Sequence, residues 1–142
     1  MIRKNKLGFI VYVAIMGMAI MSIVKTIQDD RLTYEETAML TIQVWRSENN
    51  LPEYKIDSEL CELAERRSFE ISDNWSHDGF VGLIFSTEFR SLGENISREF
   101  EDPRELVQGW LDSPTHRENL DADFEYSCLR CNELYCAHIF GK

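Results

Sequence analysis

Apolar residues recur at intervals of three and four positions in three parts of this chain, the spacing that gathers them on one face of an α-helix. We predict helices over residues 33–49, over residues 58–73 and from residue 102 to the Ser113-Pro114 pair. Each is preceded or opened by a residue whose side chain can cap the free N–H groups of a first turn: Thr33, Asp57 and Asp102. A glutamate stands three positions after Thr33 and after Asp102, so each of these predicts a capping box.

The C-terminal part has short apolar runs instead. Residues 124–129 and 134–140 are predicted as two strands, joined through Asn132-Glu133 as an antiparallel hairpin. Residues 74–93 carry aromatic residues and glycines without a clean period and are predicted as a loop with short strand or helix pieces. Helices followed by a late hairpin indicate an α+β fold.

The N-terminal pattern is different, because residues 7–24 are uncharged and follow three basic residues. As a helix, 18 residues at roughly 1.5 Å each reach about 27 Å, close to the thickness of a bilayer's hydrocarbon core. We predict one transmembrane helix here, with the lipid bilayer as its partner. The basic residues before it and Asp29-Asp30 after it place the N-terminus in the cytoplasm and the remaining chain outside.

A secretory signal peptide would have a similar charged start and apolar stretch. Gly17-Met18-Ala19 offers small residues for cleavage, but the apolar run continues past it, which favours a retained signal-anchor over a secreted product. The chain is exported under both interpretations. We predict a basic end with an anchor over residues 1–25, a linker over residues 26–33 and one domain over residues 34–142.

Charge excludes one class of partner. Residues 26–142 hold eleven Lys and Arg against 25 Asp and Glu, a formal charge of −14. So acidic a domain repels phosphate backbones, and we expect no nucleic-acid partner.

Four cysteines lie beyond the apolar run, in a compartment where thiols tend to be oxidised: Cys61, Cys128, Cys131 and Cys136. Disulfides are therefore expected, with three pairings open. Three of the cysteines form C-x-x-C-x-x-x-x-C, so a zinc cluster completed by Cys61 or His138 is the competing interpretation. It is disfavoured because structural zinc sites usually carry two well-spaced ligand pairs.

Four phrases occur in one order along the chain: WRSENNLPEYKIDSELCELAERRS, SHDGF, LGENI and VQGWLDSPTHRENL, followed by F-x-x-S-C and a terminal YCAHIFG. From about residue 32 onwards the chain resembles the CAP superfamily, the cysteine-rich secretory, antigen 5 and pathogenesis-related 1 proteins. The resemblance is strongest to short bacterial-type members with W-x-x-S-P-x-H-R-x-N-L.

The resemblance implies an α-β-α sandwich with a cleft that gathers two histidines and acidic residues. On this chain the histidines are His77 and His116, and the acidic member is Glu94. Many family members have a second glutamate three residues after the tryptophan, where this chain has Ser113 with Asp112 beside it. The family's full set of four is therefore incomplete here.

The same residues carry chemistry of their own. Two neutral imidazoles and a carboxylate could bind Zn²⁺ or another divalent cation and leave one position open, with Asp112 as a further candidate ligand. Glu94 beside a histidine could act as an acid/base pair, so His77, Glu94 and His116 are also the catalytic candidates. In the third interpretation they only brace the loops.

Neighbouring residues are weaker candidates. Ser76 and Ser113 stand beside the histidines without an established Ser-His-Asp order. We expect Trp110 in the core and His138 packed and hydrogen-bonded. Arg117 and Asn119 are expected to fix the turn after His116 by bonding backbone carbonyls, and Arg117 could also pair with a carboxylate.

The function that we expect is a membrane-tethered, non-enzymatic binding module, whose cleft presents itself to a lipid, a cell-envelope component or a protein. The alternative is a metal-dependent or acid/base hydrolase acting on an envelope or peptide substrate. Neither H-E-x-x-H nor G-x-S-x-G is present to support that alternative. A stable module with a vestigial cleft is the third interpretation.

The cysteine pattern gives a direct prediction. Because all four thiols are expected in disulfides, maleimide labelling of the exported protein, denatured without reductant, should detect no free thiol. The same labelling after reduction is the control and should modify all four cysteines. Strong labelling before reduction would contradict the prediction.

Overall fold

The computed structural model describes residues 32–142. The predicted transmembrane segment and the linker up to residue 31 lie outside the described residues. Within residues 32–142, no helix is both long and apolar enough to cross a membrane. The elements in chain order are α1 Tyr34–Glu48, β1 Lys55–Ile56, α2 Ser58–Asp73, α3 Asp78–Leu83, β2 Leu92–Arg98, α4 Pro103–Asp112, α5 Pro114–Asp121, β3 Tyr126–Asn132 and β4 Tyr135–Gly141.

The strands form one mixed sheet in the order β1-β3-β4-β2. Strand β1 runs parallel to β3, whereas β3 and β2 both pair antiparallel with β4. The predicted hairpin is confirmed, but its strands, Tyr126–Asn132 and Tyr135–Gly141, lie later in the chain than the predicted 124–129 and 134–140. The turn falls on Glu133-Leu134, because the ladder continues to the Asn132–Tyr135 pair and Glu133 adopts the left-handed φ of 53°.

Helices cover both faces of the sheet. Successive residues of β3 and β4 point to opposite faces. Cys128 and Ile139 pack against α2, whereas Leu129 and Phe140 pack with residues of α1, α4 and α5. The α+β prediction is confirmed, in the layered α-β-α arrangement that was expected.

The three predicted helices are present with their caps. Thr33 and Glu36 exchange the two hydrogen bonds of a capping box, and the Asp57 carboxylate accepts from the Leu60 N–H at 3.1 Å. The box predicted at Asp102 is wrong, because this carboxylate accepts from the N–H of Arg104. Proline precedes Arg104 at the first helical position and sets the backbone turn without a donor of its own.

Four elements were missed or left undefined: β1, α3, β2 and α5. Strand β2 is buried along most of its length but contains Glu94, Asn95 and Ser97 among its buried residues, so it lacks an apolar period. Pro114 stops α4 and also occupies the first position of α5, because its fixed φ suits a first turn. The region after His116, which was expected to be a turn, is therefore helical.

Both disulfides are formed and all four cysteines are paired, as the cysteine pattern predicted. Cys61–Cys128 ties α2 to β3 across 67 residues of sequence, and Cys131–Cys136 joins directly opposed residues of the hairpin. In the chain-entropy model, closing the longer loop stabilises the fold by about 4 kcal/mol. The competing zinc cluster is wrong, because its thiols are bonded to one another.

Arg46 and His138 are fully buried on the side of the sheet that faces α1. Arg46 donates to the Tyr54 hydroxyl at 2.7 Å and to the Leu120 carbonyl at 2.6 Å, which fastens α1 to the end of α5. His138 packs against Phe140 at 4.0 Å and Trp110 at 5.8 Å between ring centroids. The packing of His138 is as expected, but neither ring nitrogen makes a hydrogen bond to residues 32–142.

Burial, together with a smaller effect of the positive charge of Arg46, lowers the pKa of His138 from 6.5 to about 3. Below pH 6.5 the unfolded chain takes up a proton that the folded chain does not. The stability linked to His138 is therefore fully present above about pH 6.5 and is lost as pH falls towards 3, at up to ~1.4 kcal/mol per pH unit.

We predict that His138→Phe removes this part of the acid sensitivity. Urea unfolding of both proteins, at intervals from about pH 7 to about pH 4, measures it. The free energy of unfolding should fall more steeply with acid for the wild type than for the variant, by up to ~1.4 kcal/mol per pH unit. Parallel pH profiles would contradict a buried, neutral His138.

Candidate functional site

The site is built around Glu94, a carboxylate buried in strand β2. The Nε of Arg67, from α2, donates to Glu94 Oε1 at 2.6 Å, and Nη2 lies 3.4 Å from Oε2. Both side chains are only 1% exposed, so the two charges neutralise one another out of reach of water. On the other side, the ring Nδ1 of His77 lies 2.7 Å from Glu94 Oε2.

Arg67 also holds the loop that carries His77. Its Nη2 donates to the Ser76 carbonyl at 2.8 Å, and its Nη1 lies 2.7 Å from the carboxylate of Glu70. Burial alone would lower the pKa of Arg67, but the hydrogen bonds and charges of Glu94 and Glu70 outweigh burial, and the pKa is raised. One guanidinium therefore joins a helix, a strand and a loop.

A glycine is required where this loop enters α3. A Cβ atom on Gly79 would overlap the side chains of Arg67 and Glu70. His77 is the residue just before α3, and its side chain is 54% exposed. The SHDG phrase thus lets the loop approach α2 closely while the imidazole stays accessible.

His116 reaches the same region from α5. Its backbone carbonyl accepts from Asn95 at 2.9 Å, and Asn119 donates to the Glu94 carbonyl at 3.1 Å, so two asparagines fasten α5 to β2. Burial lowers the pKa of His116, and electrostatic repulsion from the neighbouring His77 imidazole acts in the same direction. The structure therefore brings His77, Glu94 and His116 into one region, with direct contact between the first two.

Beside His116 lies a cavity of 290 Å³, which we call the aromatic groove. Its lining includes Trp75, Arg98, Phe100, Trp110, Ser113 and His116. Trp110 is 2% exposed, and its Nε1 donates to the Ile96 carbonyl at 3.1 Å. Trp110 is thus both a core residue, as expected, and part of the groove's wall. Ser113 lines the groove, at the position where many proteins of the CAP superfamily have a glutamate.

The other predicted residues have mainly structural contacts. Asp112 is exposed and accepts from Gln108 at 2.8 Å. Arg117 pairs with Asp121 at 3.3 Å, a carboxylate partner of the kind expected. Asn119 bonds a backbone carbonyl as expected, but that carbonyl belongs to β2 and not to a turn. Ser76 accepts from the N–H of Asp78 through its hydroxyl at 3.2 Å.

The geometry around Glu94 bears on the predicted divalent metal. Both carboxylate oxygens already have partners, and a guanidinium stands where it repels a cation. Within residues 32–142, no group of three or more His, Cys, Asp or Glu side chains is placed to hold a metal ion. In this arrangement the Glu94 carboxylate would have to give up Arg67 or His77 to bind a cation, and metal binding by His77, Glu94 and His116 stays a prediction.

The pairing of Arg67 with Glu94 was not predicted from the sequence. The signal was present, because Arg67 continues the apolar register of Leu60, Ala64 and Ile71 on one face of α2. A charged residue in a buried register needs a buried partner of opposite charge. What the sequence leaves open is which of 25 acidic residues supplies it.

Comparisons with known proteins agree with this architecture. The profile of the Cysteine-rich secretory protein family, CAP, matches residues 41–127, more than half of the chain. The chain therefore belongs to the CAP family.

The relatives that it resembles are bacterial. The protein YkwD of Bacillus subtilis is 25% identical over 96 residues, which cover 61% of this chain and 37% of YkwD. An extracellular protein containing an SCP domain from Bacillus anthracis has a TM-score of 0.70 at 26% identity, covering 77% of this chain and 40% of that one. The chain thus spans about two fifths of either relative.

An outer surface protein of Borrelia burgdorferi matches with a TM-score of 0.65 at 23% identity, covering 73% of this chain and 88% of that protein. At this identity the match establishes a shared fold. The α-β-α arrangement therefore recurs in a protein that consists almost entirely of the matched region.

The buried ion pair gives a testable prediction. Arg67→Met leaves the Glu94 carboxylate buried without its cation, and we expect a loss of roughly 3–5 kcal/mol in the free energy of unfolding. The neighbouring exposed residue provides the matched control, and Arg66→Met should change stability by less than about 0.5 kcal/mol. Urea unfolding of the full chain at neutral pH measures both.

A double variant tests the cause of that loss. Arg67→Met combined with Glu94→Leu should be more stable than Arg67→Met alone, because no unpaired carboxylate stays buried. If the double variant is the less stable of the two, the cost does not come from an unpaired charge.

Proposed function

We propose that this chain is a membrane-tethered, extracytoplasmic CAP protein whose domain is a non-enzymatic binding module for a cell-envelope or lipid ligand. The observation that carries the proposal is the state of Glu94. This carboxylate is buried, and its oxygens contact Arg67 and His77. A general base must reach the proton that it abstracts, and Glu94 would first have to leave its ion pair.

The accessible groups support recognition. Half of the His77 side chain is exposed, and His116 and Ser113 face the aromatic groove. These residues offer hydrogen bonds beside an apolar wall, the combination found in sites that bind organic ligands. The wall and the polar groups are anchored by α4, α5 and β2, so the site exists before a ligand arrives.

The location rests on separate observations. The uncharged run over residues 7–24 is long enough for a membrane helix, and the basic residues before it orient the domain outwards. Two disulfides suit an oxidising compartment. The Bacillus anthracis and Borrelia burgdorferi relatives are described as extracellular and outer surface proteins.

The proposal predicts binding without turnover. The full chain in lipid nanodiscs should sediment with purified Bacillus subtilis cell-wall sacculi or bind vesicles of the uncharged lipid phosphatidylcholine. A His77→Ala, His116→Ala double variant should bind at least tenfold more weakly. Glu118→Ala, an exposed change on α5, serves as the matched control and should bind like the wild type. Addition of EDTA should leave binding unchanged.

Release of soluble fragments or free acyl chains during the same incubation separates binding from hydrolysis. We expect none above the background of empty nanodiscs. Release that Glu94→Gln abolishes would favour the hydrolase instead, and loss of binding in EDTA would favour a metal ligand. Equal binding by the double variant would remove the cleft as the binding site.

A further inference from the structure

The aromatic groove carries a positive charge that the Arg67–Glu94 network does not involve. The guanidinium of Arg98, at the end of β2, stands over the ring of Trp75 at 4.8 Å from its centroid. Among residues 32–142, Arg98 forms no ion pair, and its side chain makes no hydrogen bond to them. Arg98 is an exposed residue, so its guanidinium can be reached from solvent.

The wall of the groove is closely packed. A Cβ atom on Gly109 would lie 2.9 Å from Cζ of Phe100, so the ring fits against α4 only because residue 109 is glycine. The Phe100 carbonyl accepts from the Tyr34 hydroxyl at 2.9 Å, which fixes the backbone at this point. Trp75 contributes a further ring that is 40% exposed.

Ser97 adds an independent sign of an unmet polar partner. The residue lines the groove and is 4% exposed, and its hydroxyl is buried without a hydrogen-bond partner among the described residues. Buried hydroxyl groups in proteins are usually hydrogen-bonded. The hydroxyl oxygen is itself closed off from solvent, so an acceptor atom of a ligand would reach it only if the wall of the groove shifted.

We propose that the aromatic groove binds a small carboxylate, with the carboxylate on Arg98 and an aromatic ring or short acyl chain against Trp75, Phe100 and Trp110. The cavity of 290 Å³ is at the lower end of the range for organic ligands, which suits a single ring or short chain. Guanidinium groups bind carboxylates through paired, charge-assisted hydrogen bonds. The proposal rests on the proposed function, since it names the ligand class of the same cleft.

The carboxylate could belong to a free acid or to the C-terminus of a peptide with an apolar last residue. Phenylacetate and the peptide Gly-Gly-Phe represent the two sources. Phenylacetamide and the amidated peptide are matched probes that keep the ring and lose the charge.

The full chain in lipid nanodiscs, labelled with 5-fluorotryptophan, provides the measurement. The sequence has three tryptophans, so three ¹⁹F signals can be assigned by single Trp→Phe substitutions. Titration with phenylacetate or the free peptide should move the signals of Trp75 and Trp110. Trp45 lies outside the groove, and its signal is the internal control.

We expect each amide to bind at least tenfold more weakly than its acid. Arg98→Gln should weaken acid binding at least tenfold and leave amide binding unchanged, whereas Arg90→Gln, an exposed change of equal charge, should leave both unchanged. Tighter binding of the free acid or of the peptide identifies the source of the carboxylate.

Equal affinity for acid and amide, unaltered acid binding by Arg98→Gln, or equal movement of the Trp45 signal would each overturn the proposal. If the chain still binds sacculi or vesicles but binds neither phenylacetate nor Gly-Gly-Phe, this inference alone is overturned. Loss of sacculus and vesicle binding with intact, Arg98-dependent acid binding would overturn the envelope ligand and retain the carboxylate site.

Discussion

The ion pair between Arg67 and Glu94 is the interaction on which the site depends. Two opposite charges are removed from water, and each is tolerated only because the other lies 2.6 Å away. The pair forces α2, β2 and the loop before α3 into one arrangement, since moving any of them would leave a charge unmatched. A buried pair of this kind contributes more to a unique geometry than to net stability.

That arrangement divides the cleft into two parts. On one side of the Trp75–His77 loop, polar side chains compensate one another and leave only the outer edge of an imidazole free. On the other side, aromatic rings and the guanidinium of Arg98, which has no ion-pair partner within residues 32–142, face a cavity. The loop belongs to both parts, because Arg67 donates to the Ser76 carbonyl and Trp75 lines the groove. A few residues of backbone therefore separate the buried pair from the groove for which we propose a recognition role.

Local patterns in the sequence predicted the elements whose signals are local. Helix α2 was correct to the residue because Asp57 caps it and its apolar residues keep one period. Strand β2 was not predicted, because its buried polar residues, including Glu94 and Asn95, replace the apolar alternation by which strands are recognised. Its burial comes from helices that lie elsewhere in the sequence.

The site shows the same division. The family pattern identified His77, Glu94 and His116 by their order, and the structure brings them together. The sequence pattern did not identify Arg67 as the partner of Glu94 or Arg98 as a neighbour of Trp75. These contacts join residues that are 27 and 23 positions apart. A single sequence contains charge and periodicity, but the choice among many acidic partners is made by packing.

The disulfide between Cys61 and Cys128 limits which parts of the domain can open locally. Arg67 follows Cys61 on the same helix by less than two turns, and the bond ties that helix to a central strand. This bond opposes lifting of α2 from the sheet, so we expect local opening of the cleft to begin in α3 and the loop after it. In an oxidising environment, slow amide exchange should therefore persist along α2 while exchange at α3 is fast. The loop at the entrance of the site can then open locally while the Arg67–Glu94 ion pair stays formed.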